Sequence, residues 1–186
     1  MKKAILFDAD GVVILPNKFR EVLMQHGISP TQTRAFFGKE YQKCLIGKQT
    51  LKSCLPRHLK KWGWTKSYND FIKLWLNSDS NLNTKLLEKI SNLRRKGIKC
   101  YLATNQEHNR KRHLKLLLKN KFDGQFFSCE LKKKKPNLNY FLAVKQKLKN
   151  HEIHFFDDKQ ENVKSAAKTG IKSHLYTCLG SLKEIK

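Results

Sequence analysis

Short apolar runs and long stretches of helical spacing alternate along this chain, and the mixture changes character near residue 80. The first run, Ala4 to Phe7, has the length of a buried strand, and Asp8, Asp10 and Gly11 end it abruptly. From Val13 the spacing turns helical. Asn17 is placed to cap a helix through His26, and Ser29 stands as a cap before Pro30 at a first helical position. Helical pieces follow at Lys39 to Leu45, at Leu51 to Trp62 with a disturbance at Pro56, and at Tyr68 to Leu76. In the last of these, Phe71, Leu74 and Trp75 recur at i, i+3 and i+4, the face of a helical core. Trp62-Gly63-Trp64 fits substrate contact or core packing equally and receives no role in specificity.

Beyond residue 80 helices and strands take turns. A helix over Thr84 to Arg95 stops at Gly97, and Lys99 to Thr104 is a buried strand followed by Asn105-Gln106. A helix over Asn109 to Lys119 leads to a short strand at Phe126-Phe127 and then to a lysine run before Pro136. Leu138 to Leu148 is helical, Ile153 to Phe156 is a strand ending in Asp157-Asp158, Glu161 to Lys168 is a helix ending near Gly170, and His174 to Tyr176 is the last strand. Strands separated by helices predict an α/β fold with a mostly parallel sheet, into which an all-helical segment is inserted after the first strand.

The 186 residues suffice for one good core with a small inserted module. Lysine and arginine outnumber the acids 39 to 15, a net charge of +24 that any polyanion will feel. The cations are spread along the chain with no nucleic-acid-binding signature, so nucleic acid is expected to bind weakly and non-specifically. Five cysteines, odd in number and without a C-x-x-C pair, suggest neither a disulfide framework nor structural zinc, and a reducing cytoplasmic compartment is the default. His108/His113 and His151/His154 lack the spacing of a metal set. No stretch approaches a membrane span in length.

Candidate chemistry gathers at strand ends: Asp8/Asp10, Thr104/Asn105, Lys135 and Asp157/Asp158. A parallel sheet brings such ends to one edge. Two acids at i and i+2 call for a cation or a shared proton, and one can act as nucleophile while the other serves as acid and base. Carboxylates, a hydroxyl with an amide, and one lysine together form a kit for phosphoryl transfer.

The motifs FDADGVV, ATN, KP and FFDD, in that order, resemble those of the haloacid dehalogenase superfamily, over essentially the whole chain. The span from Phe155 to Asp158 and on to Asn162 is similar to the glucose-1-phosphatase and epoxide-hydrolase phosphatase-domain branch. The resemblance implies a Rossmann-like core from residues 1–14 and 81–186 with a helical cap at 15–80. It implies Asp8 as the nucleophile, Asp10 as the acid and then the base, and Thr104, Asn105 and Lys135 as phosphate ligands. Lys135 would also pair with the nucleophile. Mg²⁺ would lie on Asp8, Asp158 and the Asp10 backbone carbonyl, supported by Asp157 and Asn162. Asp10 argues against a dehalogenase, which lacks an acid there in this family. The expected activity is a cytoplasmic, Mg²⁺-dependent phosphatase of a small phosphorylated metabolite, a sugar phosphate or nucleotide. A phosphomutase of the β-phosphoglucomutase type, a basic nucleic-acid-binding protein and a nucleic-acid phosphatase are the rivals, and no oligomeric state is implied. Two positions depart from the family pattern: Ala9 replaces a larger apolar residue, and Lys132 stands where glycine is common.

Overall fold

The computed structural model describes residues 2–16 and 18–184, so the expected cap at Asn17 lies outside the described residues. Strand β1 (Lys2–Phe7) is followed by helices α1 (Phe19–Gln25) and α2 (Pro30–Ala35), a π turn (Phe36–Glu40), α3 (Tyr41–Leu45), α4 (Leu51–Lys61) and α5 (Tyr68–Ser78). The remainder runs α6 (Thr84–Arg95), β2 (Lys99–Thr104), α7 (His108–Leu117), β3 (Gly124–Phe127), α8 (Ser128–Leu131), α9 (Leu138–Lys147), β4 (His151–Asp157), α10 (Gln160–Ala167), β5 (Lys172–Leu175) and a 3₁₀ turn (Leu179–Glu184).

The five strands are all parallel in the order β3-β2-β1-β4-β5, which puts the Asp8 strand at the centre. Alternation along β1 sends Ile5 and Phe7 to one face and Ala4 and Leu6 to the other. The first pair meets Leu86, Ile90 and Leu93 of α6 and Leu114 of α7; the second meets Tyr140, Phe141 and Val144 of α9 and Ala166 of α10. Each fully buried side chain of this size contributes roughly 1.5–3 kcal/mol, and covering both faces is what an all-parallel sheet requires.

Residues Phe19 to Ser78 bury a separate core around Phe36, Cys54, Leu55, Phe71 and Trp75. Ser29 closes a capping box with Gln32, and Pro30 opens the helix behind it. Trp62 donates its indole N–H to the Gln32 carbonyl at 3.0 Å, so it serves packing here. Helix α4 runs on through Pro56 instead of ending there. The helix expected from Lys39 is instead the end of one continuous stretch from Pro30, widened to π spacing at Phe36–Glu40. β5 begins at Lys172, two residues before its expected start, because it pairs with β4 from His154 onward.

Candidate active site

Asp8 follows directly on β1 and is tied to the sheet by its backbone N–H, which donates to the Phe156 carbonyl at 2.9 Å. Its Oδ1 accepts from the Ala9 N–H at 2.7 Å and lies 2.9 Å from Lys135 Nζ. Among the described residues, Oδ2 accepts no hydrogen bond. The same ammonium donates to Asp157 Oδ2 at 2.6 Å, so one buried lysine joins the ends of two neighbouring strands. Asp157 is further held by the Lys159 N–H at 2.8 Å and by Asn162 Nδ2, 2.9 Å from both of its oxygens.

Lys135 reaches the site from a loop that follows α8. Lys132 ends that helix in the left-handed conformation, φ +54°, which accounts for the glycine common at this position in the family. The loop is then gripped by Asn105, whose Nδ2 donates to the Lys135 carbonyl at 2.8 Å while its Oδ1 accepts the Lys135 N–H at 2.9 Å. Both edges of the Asn105 carboxamide are engaged with the lysine loop, because a loop bearing a buried cation needs its backbone groups satisfied. Thr104 is buried, and its Oγ1 accepts from Gln106 Nε2 at 3.2 Å, which leaves its hydroxyl proton available.

The carboxylates of Asp8, Asp157 and Asp158 each present an oxygen within 4.8 Å of the others, the one such metal-competent group among the described residues. Asp158 fits because residue 11 is glycine. A Cβ there would stand 2.3 Å from Asp158 Oδ2, and φ is +83°. The Asp10 carbonyl accepts no hydrogen bond among the described residues.

The Asp10 side chain is not part of this cluster and has partners of its own. Its Oδ2 accepts from Gln106 Nε2 at 2.7 Å, and its Oδ1 lies 2.9 Å from Arg110 NH2. Arg110 also pairs with Asp79 through NH1 at 3.1 Å, an ion pair in which the N–H is not aligned on the oxygen. Neither Gln106, Arg110 nor Asp79 was marked by the sequence motifs; Gln106 alone had a signal, its place directly after Asn105 at a strand end.

Electrostatics follow from burial and pairing. Burial pushes the Asp8 carboxyl up to about 7, with Lys135 opposing and Asp157 and Asp10 adding to the rise. For Asp157 burial is outweighed by Lys135 and by the donated hydrogen bonds, and its carboxyl is held below the usual range. Burial alone would lower Lys135, yet the two carboxylates hold it above its ordinary value. Asp158 is raised by burial and by Asp157. The site is therefore a buried cation between two acids, open on one side to a third.

The model of the haloacid dehalogenase-like hydrolase family matches residues 2–170. No curated protein matches the chain. Among solved structures, a HAD family enzyme from Bacteroides thetaiotaomicron in a magnesium complex aligns with a TM-score of 0.83 at 21% identity, covering 100% of this chain and 99% of that one. A mutant of that enzyme in complex with magnesium and inorganic phosphate gives 0.80 at 20%, with 95% of each chain covered. L-2-haloacid dehalogenase from Xanthobacter autotrophicus, with chloropropionic acid covalently bound, gives 0.69 at 17%, with 99% and 82% covered. At such identities these likenesses speak for the fold.

Proposed function

Because the chain belongs to the haloacid dehalogenase-like hydrolase family, we propose that it is a Mg²⁺-dependent phosphatase that hydrolyses a small phosphate monoester, a sugar phosphate or nucleotide, through an aspartyl-phosphate on Asp8. The observation that carries this reading is the convergence of Lys135 on Asp8 and Asp157 beside an all-oxygen cluster with Asp158. The magnesium and phosphate complexes of the Bacteroides enzyme support it.

The donor set suits a hard divalent cation. Asp8, Asp158 and the Asp10 carbonyl would hold Mg²⁺, with Asp157 and Asn162 fixing the frame behind them. What the metal supplies when bound is neutralisation of phosphate charge. Asp8 Oδ2, which accepts no hydrogen bond among the described residues, attacks phosphorus, while Oδ1 stays with Lys135 and the Ala9 N–H. The Lys135 ammonium and the Thr104 hydroxyl donate to phosphoryl oxygens. Asp10 gives its proton to the departing alcohol oxygen, then takes one from the water that hydrolyses the acyl phosphate and regenerates Asp8. Acid–base help of this kind is worth roughly 10²–10⁴-fold. The helical segment 15–80 acts as a cap that excludes bulk water.

The test is release of phosphate from 4-nitrophenyl phosphate and from a panel of sugar phosphates and nucleotides, with and without Mg²⁺, by the wild type and Asp8→Asn. Metal-dependent release that vanishes in the variant is expected. A wild type inert on the whole panel would overturn the proposal.

A further inference from the structure

The phosphatase reading gives Asp10 the proton transfers, and the inference here rests on that reading. A general acid must hold its carboxyl group toward the leaving oxygen, yet the Asp10 side chain is 46% exposed, and such a side chain is fixed only by its partners. It has two. Gln106 is anchored by its own backbone N–H, which donates to Ser128 Oγ at 2.9 Å, and by its carboxamide on Thr104. Arg110 is 4% exposed and sits in the first turn of α7, where the Glu107 side chain accepts its backbone N–H at 2.6 Å.

The far side of Arg110 belongs to the helical segment. Asp79 directly follows α5, and its Oδ2 accepts the Trp75 indole N–H at 3.0 Å. Trp75 in turn stacks on Phe19 with ring centroids 4.8 Å apart. Among the described residues Asp79 Oδ1 is buried without a hydrogen-bond partner, and the polar side-chain contacts of Asp79 are the indole and the guanidinium. We infer that Arg110 is a positioning residue that holds the Asp10 carboxyl group and ties it, through Asp79, to the helical segment. The planar guanidinium gives NH2 to Asp10 and NH1 to Asp79 in a fixed fork. A lysine at this position would have to reach both carboxylates from one nitrogen, as Lys135 does between Asp8 and Asp157.

The experiment compares 4-nitrophenyl phosphate with benzyl phosphate, which are alike in shape but unlike in leaving group. The alcohol of the first departs without help; that of the second needs a proton. kcat/KM ends at departure of the alcohol, so hydrolysis of the acyl phosphate does not enter. Arg110→Lys is expected to lower kcat/KM for benzyl phosphate about 10²-fold and for the nitrophenyl ester less than about threefold. Asp79→Asn, a milder change, is expected to act in the same sense by about tenfold. Equal losses on both esters would mean a purely structural role and overturn the inference, as would no loss on either. Should the wild type turn over neither ester, the panel of sugar phosphates and nucleotides decides the phosphatase reading. Crystal structures then decide the positioning: an Asp10 carboxyl group that leaves Gln106 in Arg110→Lys supports it, and an unmoved one overturns it.

Discussion

Lys135→Met removes the cation between Asp8 and Asp157 while keeping an unbranched side chain of similar length in its burial site. The ammonium lies 2.9 Å from one carboxylate oxygen and 2.6 Å from the other, so those two oxygens are at most about 5.5 Å apart. At an effective dielectric near 20, two full charges at that separation repel by about 3 kcal/mol. Removing one partner from a buried ion pair costs about 3–5 kcal/mol on experience with other proteins, in agreement with that figure. For a chain of this length each kcal/mol corresponds to about 2–4 °C, so Tm in chelator at pH 8 should fall by roughly 6–20 °C. The loss should also depend on pH. Without Lys135 the burial of both carboxyls is less opposed, so their folded values move up and stability is lost as pH rises through them. In the wild type only Asp8 is raised, to about 7, while Asp157 is lowered. The gap between the two proteins should accordingly widen from pH 5 to pH 8 in thermal unfolding followed by circular dichroism. A gap below about 1 kcal/mol, or one that ignores pH, would refute the reasoning.

Gly11→Ala forces a Cβ onto Asp158 in a left-handed conformation; it should cost about 1–2 kcal/mol of stability and weaken Mg²⁺ binding roughly 10–100-fold in calorimetric titration. Lys132→Gly relieves the other left-handed position and should raise the urea midpoint by an amount equivalent to about 1 kcal/mol at unchanged slope. The charge of +24 should give sequence-independent retention on a DNA oligonucleotide that is present near 50 mM salt and gone by about 200 mM, a filter-binding measurement.

The alternation of strands and helices was legible because a buried parallel strand must be apolar and short; Asp8, Thr104 and Asp157 stand out where such runs stop, and Lys135 only by its neighbour Pro136. The lysine loop was half legible. Lys132 was visible only as a departure from the family's glycine, and the structure shows it as a left-handed residue closing α8, a four-residue helix too short to leave a periodic trace. Asn105 was visible as a polar residue at a strand end, whereas its grip on the Lys135 backbone is a contact across 30 residues. Arg110 had no local signal at all. In a chain with 39 basic residues, one arginine between Asn109 and Lys111 looks like solvated surface, and only its burial against Asp10 and Asp79 sets it apart. The π turn at Phe36–Glu40 was equally hidden, since one extra residue in a helical turn leaves the apolar spacing nearly unchanged.

The central place of β1 bears on how the chain comes to be folded. Lys2 pairs with His151 and Ala4 with Lys99, so β1 is flanked on both sides only after about 150 further residues exist. At the usual 5–20 residues per second of synthesis, that leaves the run Ala4 to Phe7 without its neighbours for roughly 8–30 s. An unpaired apolar strand is a template for association with other chains over such an interval. Residues Phe19 to Ser78 carry a core of their own and can collapse meanwhile, with the unfinished strand at one end of them. The strand that leads into Asp8 thus leaves the ribosome well before both of its neighbours and is among the last to be enclosed.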